Sequence, residues 1–198
     1  VDRADPAFAS PSKPVGSFYS KEEIQEKVAR EGWNVVEDAG RGWRRVVASP
    51  MPIQVVELDA ILDLVKAGFI VVAAGGGGIP VVQDEAGNLK GIAAVIDKDY
   101  ATSLLATNLN ADLFVISTAV EKVCINYNKP DQQGLDRLTI AEATTYMQQG
   151  QFAKGSMLPK VKAAVSFLEH GGKEALITNP ESLERAVAGE TGTRIVRG

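Results

Sequence analysis

FIVVAAGGGGIPVV (residues 69–82) sets a wholly apolar run directly against four glycines. Residues 69–74 are rich in β-branched side chains, the composition of a strand buried on both faces inside a parallel sheet. Gly75, Gly76, Gly77 and Gly78 then predict a loop whose backbone approaches a ligand closely and aims several N–H groups at one anion. Ordering four glycines costs conformational entropy, which argues for a use, although a tight turn with nothing bound fits the same residues. No Gly-Lys-Ser/Thr follows, so this is not a Walker A loop, and the G-x-G-x-x-G spacing of a dinucleotide fingerprint is absent.

Outward from this stretch the pattern alternates. VVELDAILDLVKAGF (55–69) reads as an amphipathic helix, and VVQDEAGNLKGIAAV (81–95) as a hairpin closed at Ala86, Gly87 and Asn88. Then come a helix in KDYATSLLATNLNA (98–111), an apolar strand in DLFVIST (112–118), and a short strand in EKVCINY (121–127) before a turn at Lys129, Pro130 and Asp131. Two helices follow at 139–150 and 157–171, with Gly150 and Gly171 as stops, then a buried strand EALITN (174–179), a helix SLERAVAG (182–189) and a last strand GTRIVR (192–197). Helices alternating with apolar strands imply an α/β protein built as a three-layer αβα sandwich on a mainly parallel open sheet. Ligands of such sheets sit beyond the C-terminal strand ends. That selects residues 75–78, 97–99 and 117–121, and Asn179 with Pro180.

Residues 1–52 differ. The first twenty carry three prolines and read as an ordered loop packed through Phe8, Phe18 and Tyr19. KEEIQEKVAREGW (21–33) is a helix ending near Gly32, and WNVVEDAGRGWRRVVASP (33–50) two short strands around the turn at 38–42, with Trp33 and Trp43 as packing anchors. The expected organisation is a small protruding β-rich subdomain, a candidate lid, over 1–52 and a nucleotide-binding αβα domain over 53–198.

The 198 residues carry a formal net charge of −4 with both signs interspersed, so no basic stripe for nucleic acid is present. No apolar run reaches membrane-spanning length. The single cysteine, Cys124, fits a reducing compartment and reads as a buried small hydrophobe. With one histidine, His170 at a helix end, a zinc site and a Ser/His/Asp triad are excluded.

Three groups remain for chemistry. Lys98, between Asp97 and Asp99 at a helix start, suits a phosphate contact, though the tripeptide also fits a solvated turn or an N-cap. Lys160, in the first turn of the helix that Ser156 would cap, opposes the helix dipole unless an anion is present. That conflict marks either a site or an exposed surface lysine. The third is the glycine run.

Taken in order, DPAFASPSKPVGSFYS (5–20), EDAGRGWRRVVASP (37–50), VVAAGGGGIPVV (71–82), AVIDKDYATSLLA (94–106), STAVEKVCINYNKP (117–130), QFAKGSMLPKVKAAVSFLEHGG (151–172) and GTRIV (192–196) resemble the carbamate kinases of the amino-acid kinase family. The resemblance implies phosphoryl transfer between ATP (or ADP) and carbamate (or carbamoyl phosphate) with Mg²⁺, in a cytoplasmic homodimer that often makes ATP in arginine fermentation. It implies that Lys98 and Lys160 contact the transferring phosphoryl group, that Asp99 orients both lysines, and that Lys13 reaches over the active site from the protruding part. Gly75, Gly76, Gly77 and Gly78 would line the substrate side, with Tyr127, Met157 and Pro159 near the nucleotide. It also implies that the N-terminal portion of the fold, with its first strand and a Gly-Gly-Asn loop, is missing, which leaves a strand unpaired. Another family member acting on a different substrate, or a nucleotide-binding fragment without activity, stays open as an alternative.

Overall fold

The first fifty residues build a three-stranded antiparallel sheet with one helix. Strand β1 (Lys13–Tyr19) pairs with β3 (Trp43–Val47), which pairs with β2 (Asn34–Glu37), and helix α1 (Lys21–Glu31) joins β1 to β2. The α1 boundaries follow from side-chain chemistry. Ser20 Oγ accepts from the Glu23 N–H while the Glu23 carboxylate accepts from the Ser20 N–H, and Gly32 ends the helix at φ 65°. β1 corrects the expectation of a loop. Pro14 and Gly16 disguise it, and both are tolerated because β1 is an edge strand whose register breaks between Val15 and Tyr19, where Gly16 takes φ 74°.

In this computed structural model, which describes residues 1–38 and 40–198, the chain forms two units. Val1–Gln54 with Ala74–Lys98 makes the first, and Val55–Ala73 with Asp99–Gly198 the second. Ala39, in the turn read at 38–42, lies outside the described residues. The first unit also holds the expected hairpin, β4 (Val81–Gln83) against β5 (Leu89–Gly91). A bond from the Val95 N–H to the Ala48 carbonyl (2.9 Å) ties its second segment to its first.

The second unit carries α2 (Leu58–Lys66), α3 (Lys98–Asn108, whose first residue belongs to the first unit), β6 (Leu113–Ser117), β7 (Val123–Ile125), β8 (Gln133–Leu135), β9 (Arg137–Thr139), α4 (Ile140–Gln148), α5 (Met157–Glu169), β10 (Glu174–Thr178), α6 (Leu183–Val187) and β11 (Thr193–Val196). Its main sheet runs β6-β10-β11-β9, with the outer pairings parallel and β10 against β11 antiparallel. Residues 175–178 of β10 are buried on both faces. Ala175 and Ile177 join the cluster built on Phe167, Val161 and Leu168 of α5. On the other face Leu176 meets the α6 side, where a Cβ on Gly192 would lie 2.9 Å from Leu176 Cδ1 and 3.1 Å from Ala186 Cβ. Helices therefore cover both faces, the α/β/α layering expected.

One expected strand is missing. Residues 69–74 form no strand: Ile70 and Val72 are 99% and 95% exposed, and no described strand pairs with the segment. An apolar run becomes a strand only when a neighbour accepts its backbone bonds. The short strand read at 121–127 is present as β7, paired antiparallel with β8 in a two-stranded sheet.

Candidate active site

In the first unit the glycine loop turns back on itself, the Gly77 N–H donating to the Ala74 carbonyl at 2.9 Å. Gly77 is buried at φ 135°, and a Cβ there would lie 2.1 Å from the Ile96 carbonyl oxygen and 3.4 Å from the Lys98 nitrogen. Only glycine fits, and the loop is thereby packed backbone to backbone on the segment that carries Asp97 and Lys98. Asp97 is buried and accepts from the Lys13 ammonium on β1. Lys98 is exposed at the start of α3.

In the second unit Asp99 is buried in the first turn of α3 and accepts from Lys160 Nζ at 2.9 Å. Both residues are less than a tenth exposed. The Ser103 hydroxyl donates to the Ala163 carbonyl at 2.8 Å, fixing α3 against α5 one turn further on. Lys160 is thus the buried, paired lysine and not the exposed surface lysine that the sequence left open. The two acids of one tripeptide face different lysines: Asp97 holds Lys13, and Asp99 holds Lys160.

The second unit also contains a cavity of about 450 Å³. The connection after β6 supplies Thr118, Ala119 and Val120. Tyr127 and Met157 both line it, while Pro159, also in the first turn of α5, does not. Ser156 occupies the N-cap position of α5 without a side-chain capping bond and lines the cavity instead. The backbone closes part of that helix end instead: the Ser156 and Leu158 N–H groups both donate to the Ala153 carbonyl at 3.1 Å, and Pro159 has none to offer.

Cys124 is a correction. It is half-buried and lines the cavity, its thiol donating to the Lys122 carbonyl at 3.6 Å, because its β7 neighbour Val123 takes the core-facing place, fully buried with its N–H on Thr193 Oγ1. Lys122, also on the cavity, is raised above its ordinary value, chiefly by its bond to Asp136 at 2.5 Å. His170 is exposed at the end of α5 with Nδ1 2.8 Å from the Ser166 carbonyl, a structural position. Asn179 caps the turn at Pro180–Ser182 by accepting from the Ser182 N–H at 3.0 Å, so that loop is occupied locally.

Three residues that matter here were not singled out from sequence: Asp97 as a partner for Lys13, and Asn126 with Gln151 on the cavity. Asn126 and Asn128 flank Tyr127, and both take positive φ (51° and 60°). The Asn-Tyr-Asn spelling was the available signal, since asparagine is among the few residues that accept that conformation.

The model of the "Amino acid kinase family" matches residues 15–179. The carbamate kinase-like protein YahI of Escherichia coli is 56% identical over all of this chain and 63% of its own length, and the carbamate kinase of Clostridium perfringens is 52% identical with the same coverage. The structure of "Carbamate kinase from Giardia lamblia bound to AMP-PNP" superposes with a TM-score of 0.87 at 44% identity, covering 100% of this chain and 63% of that one. The chain thus spans about 63% of the length of the curated relatives it matches. With a family model matched across most of its residues and the α/β/α layering in place, the chain belongs to the amino acid kinase family.

Proposed function

We propose that the chain is the larger part of a carbamate kinase, which moves a phosphoryl group between ATP and carbamate. The observation that carries this reading is the buried pair of Asp99 on α3 with Lys160 in the first turn of α5, the helix whose N-terminal residues Ser156 and Met157 line the cavity. A buried ammonium held by one carboxylate is a preorganised charge for a transferring phosphoryl group, and it needs no reorganisation at the moment of reaction. The 52% identity to the Clostridium perfringens carbamate kinase across the whole chain supports carbamate as the substrate within the family.

In the direction of ATP formation, a terminal β-phosphate oxygen of ADP attacks the phosphorus of carbamoyl phosphate. The new O–P bond forms as the bond from phosphorus to the carboxyl oxygen breaks, and carbamate leaves with the electron pair. No proton moves, so no histidine or cysteine is required. Lys160 and Lys98 neutralise the equatorial oxygens, Asp99 fixes Lys160, and Lys13, held by Asp97, serves the lid segment over 1–52. The backbone of Gly75, Gly76, Gly77 and Gly78 lines the substrate side. Tyr127 and Met157 flank the adenine base of a nucleotide in the cavity, with Pro159 stiffening the helix turn below them; an adenine nucleotide analogue bound to the Giardia relative supports that ligand class. Among the described residues no three metal-ligating side chains cluster, and Asp97 and Asp99 are bound to lysines. In this reading Mg²⁺ comes with the nucleotide as part of the substrate. A cytoplasmic homodimer working toward ATP in arginine fermentation completes the reading.

The test is ATP formation from ADP, Mg²⁺ and carbamoyl phosphate, measured beside acetyl phosphate and acyl phosphates of amino acids. Turnover restricted to carbamoyl phosphate is the expected result. Turnover with another acyl phosphate instead moves the assignment elsewhere in the family, and nucleotide binding without turnover leaves a binding role.

A further inference from the structure

We infer that Gln151 is the residue that selects the nucleotide base in the cavity, by presenting hydrogen-bond donors alone to the ring nitrogen on the Watson–Crick edge of adenine. The inference rests on the reading of that cavity as the base site.

Gln151 lies just after α4, where its N–H donates to the Tyr146 carbonyl at 3.0 Å, and it lines the cavity. Its side chain reaches across 25 positions of sequence to the Asn126 N–H, which donates to Oε1 at 2.9 Å. A backbone N–H can only donate, so the amide orientation is fixed by chemistry: the carbonyl oxygen faces Asn126, and the Nε2 hydrogens are what remains for an occupant.

The bond also holds the loop that carries Tyr127. Asn126 and Asn128 both sit at positive φ. The segment is closed by the Lys129 N–H on the Asn126 carbonyl (3.0 Å), by Asn126 Nδ2 on Asp131 (2.8 Å) and by the Asn128 N–H on Gln132 Oε1 (2.9 Å). Those three bonds lie within the loop itself. Gln151 provides the tie from outside it, joining the ring on one wall to the donor on another. A rigid aromatic face beside a donor of fixed polarity matches a purine, whose flat surface stacks and whose edge accepts.

Purines differ on that edge. Adenine accepts at its ring nitrogen, whereas hypoxanthine carries a hydrogen there and donates. A donor-only side chain pairs with the first and confronts the second with an unpaired donor. Gln151→Glu keeps the shape and one oxygen for the Asn126 N–H but exchanges the donors for an acceptor.

The experiment is calorimetric binding of ADP and of inosine diphosphate to the wild-type chain and to Gln151→Glu. The wild type is expected to favour ADP, and the variant to shift the ratio of the two dissociation constants by about tenfold or more toward inosine diphosphate. A role confined to holding the loop weakens both ligands equally, so an unmoved ratio in a variant that still binds ADP overturns the assignment of Gln151 alone. Absence of ADP binding to the wild type overturns the base-site reading and this inference with it. Should Gln151→Glu fail to fold, Gln151→Met, which removes donor and acceptor without charge, is expected to bring the ratio close to one; a retained preference for ADP then overturns the inference.

Discussion

Two lysine–aspartate pairs grow from one tripeptide and end in opposite environments. Asp99 and Lys160 have side chains 9% and 11% exposed, whereas Lys13, the partner of the buried Asp97, is 34% exposed. The buried pair stands where water cannot screen it, so it acts as a fixed charge. The other pair reaches solvent through the half-buried Lys13, so water and salt screen it more, although its carboxylate is buried. Burial, not the identity of the partners, separates a permanent electrostatic element from an adjustable one.

The largest effect should follow from breaking the buried pair. Lys160→Ala removes the ammonium that faces the buried Asp99 carboxylate and is expected to cost about 3–5 kcal/mol of stability. Under the proposed reaction it also lowers turnover by about 10²–10³. Denaturant unfolding and ATP formation measure the two. A double change, Lys160→Met with Asp99→Leu, separates them, since an apolar pair of similar volume restores stability while turnover stays lost. Recovery of turnover in the double variant would remove Lys160 from the chemistry.

The pair in the first unit predicts a smaller loss. Lys13→Ala should cost more than the ~1 kcal/mol of an exposed pair and less than the ~3 kcal/mol at which buried pairs begin. The cost should also shrink as salt is raised from about 0.05 to about 0.5 M, while that of Lys160→Ala changes little. Equal salt dependence in the two variants would erase the distinction between the pairs.

How much of this was legible follows the range of the interaction. Helices α1 and α4 open with Ser-x-x-Glu and Thr-x-x-Glu, and both capping boxes form, because their partners are three residues apart. The αβα layering was legible from the apolar runs of β6 and β10. Composition misled at residues 69–74, which match β10 in character: Leu176 and Ile177 are fully buried between neighbouring strands, and Ile70 is fully exposed without one. The run carries the preference for a strand, and the neighbour decides it. At the site, Lys98, Asp99 and Lys160 were readable as charges in unusual places. The partition of Asp97 to Lys13 and Asp99 to Lys160 was not, since those contacts span 84 and 61 positions of sequence and depend on how each unit packs. Gln151 was silent for the same reason: nothing local distinguishes a glutamine whose partner is 25 residues away.

The smallest effect belongs to a third group, an aspartate held by two arginines. Asp38 sits between β2 and β3, 3.0 Å from Arg44 and 3.1 Å from Arg41. Its bond from the Arg44 guanidinium, followed by that from Arg41, holds the carboxyl below its ordinary value of 3.8. A carboxyl whose folded value is lowered releases its proton more readily in the folded chain, so it contributes stability at neutral pH. That contribution is present above the ordinary value and fades as pH falls through the lowered one. Asp38→Asn should therefore be slightly less stable than wild type at pH 7, with the gap closing as acid is added below about pH 4. Unfolding midpoints taken across that range test it, and a gap that stays constant with pH would show that the carboxylate charge is not its source. The side chains of Asp38 and Arg44 are 18% and 21% exposed while that of Arg41 is 62%, so added salt should remove the Arg41 share of the effect first and leave more of the Arg44 share.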